Sequence, residues 1–439
     1  MVTPSAPINN NNSAHKQRIA VVGGGISGMA CAHYLSRKHE VTLFEAAHRM
    51  GGHTATQSVD WQGQVYNVDT GFIVYNDWTY PNFIRLLDEL GVQSQATNMG
   101  FSVSHLHRDY EYSGANLNTL FAQRKNIFNP QHWQMLVDIM RFNRKATEDF
   151  LTDNLSKSEP LRTYLARIGI GQHFIDYYLA PMGSAIWSSS NTEVLDFSAY
   201  FFVRFFYNHG LLNVKSRPQW RVLRGGSHSY IKPLLAPVAH CITGTLIQGV
   251  KRETDGALIN YGNKTQKFDQ IVFACHSDEA LKILDDTSDE EREILSAITY
   301  RQNRVTLHRD TKLLPKRKRT WASWNYLLQE EKEQIPILTY NMNILQQIKA
   351  PITFCVTLNA DNLISPELIF HDTTFAHPVF SASATQSQNR WGEINGVNNT
   401  WFAGAYWFNG FHEDGVVSAL RVANSLGVEI PILTNPSNV

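Results

Sequence analysis

The chain has 439 residues, of which 43% are hydrophobic, so it is globular and long enough for two domains. Its 39 Lys and Arg residues balance its 39 Asp and Glu residues. This balance excludes a net field that would attract nucleic acid or a membrane, and any basic surface must be local.

The first 16 residues and the cysteines bear on cellular location. Residues 1–16 are rich in Asn, Pro and Ser and have no apolar core, so we interpret them as a disordered lead-in rather than a signal peptide. No apolar run approaches the roughly eighteen residues of a membrane span. The four cysteines lie far apart without a CxxC spacing, which argues against a disulfide framework or structural zinc. We therefore expect a cytoplasmic protein.

A strand, a glycine-rich turn and a helix are predicted near the N-terminus. Residues 18–22 form a β-branched run, and residues 26–36 carry small and apolar residues at helical spacing. In the turn pattern GxGxxG, the first glycine makes the turn, the second lets backbone approach a pyrophosphate, and the third lets helix and strand pack closely. The helix N-terminus then faces the anion with free N–H groups. The cofactor contacts expected here are Gly23, Gly25, Ser27 and Gly28.

The second predicted strand, residues 40–44, ends at an acidic residue. Glu45 follows Gly23 by 22 positions (45 − 23), where a carboxylate can accept a hydrogen bond from a ribose 2′-hydroxyl. An arginine at that position would have indicated a 2′-phosphate, so Glu45 disfavours NADP. At this point NAD and FAD both remain open.

A basic residue and a second glycine pair follow this strand, at Arg49, Gly51, Gly52 and His53. The stretch resembles the extended fingerprint of the flavin amine oxidase superfamily, which includes monoamine and polyamine oxidases, protoporphyrinogen oxidase and the carotenoid desaturases. A second glycine pair lets more backbone pass close to an extended pyrophosphate and ribityl chain, which a nicotinamide nucleotide does not need. The resemblance therefore favours FAD.

Two later stretches resemble further elements of the superfamily. A glycine pair at 225–226 precedes a strand near Ile247, which the resemblance places beside the adenine. Residues 400–423 resemble the closing motif, in which a strand ends in FAG and a glycine-started helix aims its N-terminus at the flavin. A helix N-terminus there stabilises an anionic reduced flavin. The contacts implied are Gly404, Glu413, Gly415 and Val416.

Two positions depart from the superfamily pattern. His53 replaces the usual arginine after the glycine pair, and Ala405 replaces the glutamate that often follows FAG. We expect the dinucleotide contacts at these two positions to differ.

These segments predict an α/β fold with a Rossmann-like FAD-binding domain and an inserted α+β substrate domain. The FAD-binding domain is discontinuous and comprises residues 17–76, 221–284 and 391–430. The substrate domain comprises residues 77–220 and 285–390.

Two stretches of the substrate domain have two interpretations each. Residues 193–210 are dense in aromatic side chains and predict either a core helix or the wall of a wide apolar tunnel. Residues 316–319 are four consecutive cations flanked by leucines and tryptophans. They fit a solvated hairpin tip, which we favour, or a contact with an anionic membrane surface.

The chemistry is assigned to the flavin, because no metal-ligand spacing, GxSxG elbow or second dinucleotide loop is present. The resemblance implies that Phe72, Trp407 and Phe408 line the flavin site and that His412 is a candidate proton acceptor. Amine oxidases of the superfamily present a lysine toward the flavin N5 through a water. Lys312, Lys316 and Lys349 do not lie in such a context, which argues against amine oxidation.

Residues 321–326 and 402–415 resemble a bacterial branch of the superfamily, known as predicted NAD/FAD-binding proteins. The branch is associated with enzymes that modify unsaturated acyl chains, such as cyclopropane fatty acid synthases. The resemblance implies an FAD-dependent oxidation or desaturation of an apolar, fatty-acyl or lipid substrate, with contact at the inner face of the membrane as one option. The alternatives are an amine oxidase that produces peroxide and a non-oxidative flavoprotein, either an isomerase or a lipid-binding partner.

Overall fold

The computed structural model describes residues 16–213, 216–330 and 335–434. All but the last residue of the predicted lead-in lie outside these ranges. Within them, no helix combines the length and the apolar character needed to cross a bilayer.

The described residues form 20 strands. In chain order these are β1 Arg18–Val22, β2 Glu40–Phe44, β3 Thr56–Trp61, β4 Gln64–Asp69, β5 Val74–Asn76, β6 Ser94–Thr97, β7 Phe101–His105, β8 Glu111–Ser113, β9 Trp220–Leu223, β10 His240–Ile242, β11 Ile247–Glu253, β12 Gly256–Tyr261, β13 Lys264–Phe268, β14 Gln270–Phe273, β15 Thr299–His308, β16 Trp324–Leu328, β17 Ile337–Asn341, β18 Cys355–Leu358, β19 Ile369–Val379 and β20 Thr400–Phe402.

The same residues form 16 α-helices. These are α1 Ile26–Leu35, α2 Pro81–Glu89, α3 Leu117–Leu120, α4 Pro130–Leu151, α5 Leu161–Arg167, α6 Gln172–Phe174, α7 Ala180–Trp187, α8 Asn191–Asp196, α9 Ala199–Asn208, α10 Ile231–Leu235, α11 Ser277–Ile283, α12 Asp289–Ser296, α13 Met342–Leu345, α14 Ala382–Gln388, α15 Trp391–Ile394 and α16 His412–Ser425.

A parallel sheet in the order β10-β2-β1-β14-β20 forms the centre of the nucleotide-binding part. Its apolar strands are buried, and α1 and α16 pack together beside them. The α/β class predicted from the sequence is confirmed. All five strands come from 17–76, 221–284 and 391–430, and the division into two domains at those boundaries stays a proposal.

The other large sheet has seven strands in the order β19-β15-β18-β17-β16-β7-β8. Its neighbouring strands are antiparallel except for β16 and β7, which run parallel. Since β15 and β16 are not neighbours, the basic residues 316–319 between them do not form a hairpin tip. That prediction is wrong, because β17 and β18 lie between the two strands.

Helices α4 to α9 pack around a second apolar core that includes the aromatic residues of α9. The aromatic stretch is two helices and not one. Phe197 leaves the helical conformation with ψ of 151°, and the Ser198 side chain accepts a hydrogen bond from the Phe201 N–H to begin α9. A serine cap therefore starts a new helix inside an otherwise apolar stretch.

The close approach of α1 to β1 depends on Gly28. A Cβ atom at this position would lie 1.8 Å from the Gly23 carbonyl oxygen. We expect Gly28→Ala to lower the free energy of unfolding by about 3 kcal/mol, because the helix must move away from the strand. Urea denaturation measures this loss. The matched control is Gly392→Ala in α15, where a Cβ would meet nothing within 4 Å. An unchanged midpoint for Gly28→Ala would contradict the close approach.

Candidate functional site

The loop after β1 meets two other segments at the end of the parallel sheet. The Gly24 N–H donates to Glu45 Oε2 at 2.7 Å, and the Gly51 N–H donates to the Gly24 carbonyl at 2.8 Å. A Cβ on Gly52 would lie 3.1 Å from the Gly25 Cα. The predicted glycine loop, acidic residue and second glycine pair therefore form one cleft.

The N-terminus of α16 closes this cleft from the other end of the chain. A Cβ on Gly415 would lie 2.7 Å from Ile26 Cγ2 and 3.0 Å from Ser27 Oγ, so only glycine lets α16 come this close to α1. Val416 follows in the buried core. Two helix N-termini thus converge on one cleft, and both can offer N–H groups to an anion.

Three further predicted contacts have these positions in the fold. The Arg49 guanidinium donates to the carbonyls of Gly52 and Thr54 and holds their turn in place. Ile247 begins β11, and Gly404 follows β20 with its N–H bonded to Ser418 Oγ at 2.9 Å.

Glu413 faces a different neighbour. Its carboxylate accepts hydrogen bonds from the N–H groups of Asn82 and Phe83 and from the Asn82 side chain. The side chain therefore caps the N-terminus of α2 and joins it to α16. Glu413 can therefore contact a dinucleotide only through its backbone.

His53 belongs to a cluster of neutral imidazoles. Its ring centroid lies 4.8 Å from that of Phe375, 5.2 Å from that of His377 and 6.2 Å from that of His276. Burial, together with the neighbouring histidines, holds the pKa of His53 well below its ordinary value. His53 Nε2 is buried and has no hydrogen-bond partner. In the described part of the chain, no group of His, Cys, Asp or Glu is arranged to hold a metal ion.

His412 and Phe72, two predicted lining residues, lie against each other. Their rings stack with centroids 3.4 Å apart and an interplanar angle of 13°. His412 Nε2 is hydrogen-bonded to Thr54 Oγ1 at 3.0 Å and to Tyr230 Oη at 3.2 Å. Burial lowers the pKa of His412 to about 3, so the ring is neutral near pH 7.

Trp407 and Phe408, the other predicted lining residues, lie elsewhere. Trp407 packs beside Tyr406 in the core under the parallel sheet, and Phe408 contacts the Arg421 guanidinium. The side chain that reaches from the nucleotide part to the helical core is Phe411, which contacts both apolar cores. Sequence reasoning missed Phe411, although it directly precedes His412 in the closing motif.

Phe411 opens onto a set of aromatic side chains that we call the aromatic chamber. Its ring stacks on Phe205 at 5.3 Å, and Phe205 contacts Trp187 at 4.8 Å and His209 at 3.8 Å. The chamber comprises Trp187, Phe201, Phe205, His209, Phe380 and Phe411.

Asp69 joins three chain segments beside the cleft. Its carboxylate accepts hydrogen bonds from Thr56 Oγ1, from the N–H and Oγ of Ser227, and from Gln346 Nε2, at distances between 2.5 and 2.9 Å. The residue is completely buried, and burial raises its pKa to about 6 although the hydrogen bonds oppose that shift.

A family model described as flavin containing amine oxidoreductase matches residues 26–340. Protoporphyrinogen oxidase 2, chloroplastic/mitochondrial, from Arabidopsis thaliana is 28% identical over 171 residues, which are 38% of this chain and 31% of the relative. Flavin-containing amine oxidase A from Sus scrofa is 36% identical over 93 residues, 20% of this chain and 16% of the relative. The matches therefore span less than a third of the length of these relatives.

Two solved structures share the fold over nearly the whole chain. A CLA-producing fatty acid isomerase from P. acnes has a TM-score of 0.66 at 16% identity, covering 93% of this chain and 98% of that one. Cyclohexylamine oxidase from Brevibacterium oxydans IH-35A has a TM-score of 0.65 at 14% identity, covering 94% and 99%.

The cleft fits FAD. Among the glycines of the first loop, Gly25 is the one where a Cβ would meet nothing within 4 Å, whereas Gly23, Gly24 and Gly28 are crowded. The open space lies at the N-terminus of α1, where a pyrophosphate binds in dinucleotide folds. The unpartnered His53 Nε2 adds a buried polar atom that a bound cofactor can satisfy.

Gly25→Val tests whether that open space belongs to the cofactor. The variant should fold with little loss of stability, since its side chain enters empty space, but it should be purified without the yellow colour of bound flavin. Thermal melting and the visible absorption spectrum measure the two effects. A yellow Gly25→Val protein would contradict the assignment of the cleft.

The raised pKa of Asp69 predicts a pH-dependent stability. The folded state keeps a proton up to about pH 6, whereas an unfolded aspartate releases it near 3.8. The free energy of unfolding therefore falls as the pH rises from about 4 to 6, by up to about 3 kcal/mol. Asp69→Asn should lose this part of the pH dependence in urea denaturation series. The exposed control Asp88→Asn should keep it, and equal slopes for both variants would contradict the prediction.

Proposed function

Since the chain belongs to the family of flavin-containing amine oxidoreductases, we propose that it removes hydride equivalents from a C–H bond of an apolar, fatty-acyl or lipid substrate. The family and the shared fold make the chain an FAD-dependent oxidoreductase. FAD, when bound, supplies the electron acceptor, and the protein supplies position and a water-free surrounding.

The aromatic chamber is the observation that carries this proposal. On α9, the side chains facing the chamber keep a small exposed fraction, 6% for Phe201 and 5% for Phe205, whereas Phe202 and Phe206 behind them have 0% and 1%. All four side chains are buried, and the first pair is slightly less covered than the second. An acyl chain can gain the transfer free energy of its methylene groups against such a surface.

The chamber also lacks a charge that would hold an amine or position it. His209 is its one titratable group, and burial lowers the pKa of His209 to about 4, so it is neutral. Among the described residues no lysine is buried, and the side chain of Lys312 is 52% exposed and pairs with Asp310. The aromatic rings alone would also suit an ammonium group through cation–π contacts, so an amine remains the substrate class to test against.

Phe411, Phe72 and His412 have distinct roles in this proposal. Phe411 forms the wall between the cofactor cleft and the chamber, and Phe72 lines the cleft with its orientation fixed by the stacked His412. At Nε2, His412 is bonded to both Thr54 and Tyr230, so a proton taken up there competes with these two contacts. Trp407 and Phe408 support the strand end from behind.

The fatty acid isomerase from P. acnes, which shares the fold, supports an acyl substrate by the reaction that its name states. It also favours the isomerase alternative. We propose that the reaction takes place in the cytoplasm at the inner face of a membrane, where an acyl lipid is available.

Anaerobic titration of the FAD-loaded protein separates these functions. We expect the flavin absorbance to bleach with an unsaturated phospholipid dispersed in nonionic detergent and to persist with benzylamine. Bleaching with benzylamine alone would identify an amine oxidase, and conversion of the lipid without bleaching would identify an isomerase. Either result would overturn the proposal.

Phe201→Tyr tests whether the chamber holds the acyl chain. The variant adds a hydroxyl to the apolar wall, and burying it against a methylene chain should raise the KM for the lipid about tenfold. The control is Phe150→Tyr, since Phe150 packs on Tyr200 and Tyr207 away from the chamber. Equal KM values for the two variants would place the acyl chain elsewhere.

A further inference from the structure

The surface outside the helical core is unusually apolar along one helix. Of the twelve exposed large hydrophobic residues among the described ones, seven lie within 117–151. On α4, Met135, Phe142 and Ala146 face the core, whereas Trp133, Val137 and Met140 are between 48% and 58% exposed. Those three follow one another at intervals of four and three residues, so they share one side of the helix.

The turn before α4 extends this apolar surface. Phe128 is 87% exposed, and Ile127 beside it is 43% exposed. The Trp133 indole N–H donates to the Ile127 carbonyl at 2.8 Å, which ties the turn to the helix. We call this surface the docking face; it comprises Leu117, Ile127, Phe128, Trp133, Val137 and Met140.

Cations surround the docking face. Arg124, Arg141 and Arg144 are exposed on the same turn and helix. Asp109 brings the basic residues 316–319 alongside, because its carboxylate pairs with Lys125 at 2.9 Å and with Arg317 at 3.2 Å.

Three of the basic residues 316–319 carry positive charge that no carboxylate in the described part of the chain neutralises. Lys316, Lys318 and Arg319 are exposed and have no carboxylate partner among the described residues. The surface therefore combines an apolar centre with a cationic rim.

A polar cavity opens at the edge of the docking face. It has a volume of about 350 Å³ and is lined by Arg108, Lys125, Asn126, Phe128 and His173, among others. Asn126 is only 2% exposed, and its Nδ2 has no hydrogen-bond partner. His173 Nε2 is likewise buried without a partner. Both cations of the lining already pair with carboxylates, Lys125 with Asp109, which also lines the cavity, and Arg108 with Glu330. A phosphate attached to an apolar chain would share these cations and satisfy the unpartnered polar groups beside the exposed phenylalanine.

We infer that the docking face binds a bilayer containing anionic phospholipid, with Phe128 and Trp133 in the interfacial region and a lipid phosphate in the cavity. Apolar insertion and cationic attraction together give reversible binding of this kind. The inference rests on the proposed acyl function, since it names the source from which the substrate reaches the chamber. A second copy of the chain fits less well, because a symmetric contact would bring the cationic rims of both copies together.

The inner side of α4 supports the same inference. Met135 and Phe142 on that side pack in the core that contains the chamber. The docking face and the proposed acyl site therefore border the same apolar core, with α4 on its outer side and α9 carrying the chamber residues Phe201 and Phe205.

Vesicle co-sedimentation of the FAD-loaded full chain tests this inference without turnover. We expect binding to vesicles of phosphatidylcholine with phosphatidylglycerol, weakened by salt, and little binding to phosphatidylcholine alone. Phe128→Ser combined with Trp133→Ser should lower the partition coefficient about tenfold or more. Lys318→Glu combined with Arg319→Glu should lower the partition coefficient by a similar factor. The binding that remains should depend little on salt concentration.

The cavity is tested by Asn126→Leu, which removes the unsatisfied donor and should lower binding to the anionic vesicles about fivefold. The controls are Leu246→Ser, Lys264→Glu and Asn263→Leu on the nucleotide part, which should leave the partition coefficient unchanged. Flavin content and melting temperature show that each variant is folded.

Absence of wild-type binding to the anionic vesicles would overturn the inference, and so would equal losses in the control variants. Concentration-dependent dimers that Phe128→Ser dissolves, with vesicle binding intact, would show that a second copy covers the face. These outcomes are separate from the proposed function. A lipid oxidase without membrane binding would still bleach with detergent-dispersed lipid, and a membrane-bound amine oxidase would sediment but bleach with benzylamine.

Discussion

The structure depends on the contact between two helix N-termini from opposite ends of the chain. Gly415 brings the start of α16 against Ile26 and Ser27 at the start of α1, and no larger residue would fit there. Both helices then direct free N–H groups to one cleft, where their dipoles add. The charged side chains at the cleft are bonded to backbone, since Glu45 accepts from the Gly24 N–H and Arg49 donates to the carbonyls of Gly52 and Thr54. His53 and His412 are neutral. The anion-binding groups of the helix starts are therefore backbone N–H groups. Asp414 lies in the first turn of α16, and burial raises its pKa to about 7.

Hydrogen bonds to buried carboxylates fix the segments around this contact. Asp69 joins the hairpin of β3 and β4 to Ser227 and Gln346, and Glu413 joins α16 to the start of α2. Each carboxylate accepts several donors, which offsets much of the penalty of burying it. The substrate part is thus tied to the cleft by polar contacts. Under the proposed function, the apolar residues of the chamber are the ones that face the substrate.

The features that could be predicted from the sequence are those encoded by short local patterns. The bounds of β1 and β2 follow from their β-branched runs, and the glycine loop follows from its spacing. The histidine cluster could not be predicted, because His53, His276 and His377 come from three distant segments without a shared pattern. Two of the residues predicted to line the flavin site, Trp407 and Phe408, lie away from the stacked pair of Phe72 and His412. The sequence did not single out Phe411, because a motif gives the order of side chains along the chain but not the direction in which each one points.

Helix α4 shows why a pattern of hydrophobicity can be ambiguous. A helix of a water-soluble domain normally has one apolar side, and its other side is polar. On α4, Phe142 satisfies the core while Val137 and Met140 face outward between arginines. Packing in the core explains the side of α4 that carries Phe142. It cannot explain the side that carries Val137 and Met140, because exposed apolar area near a cationic rim gives no stability to the fold in water. An environment that is both apolar and anionic would stabilise this arrangement, and a phospholipid surface is such an environment.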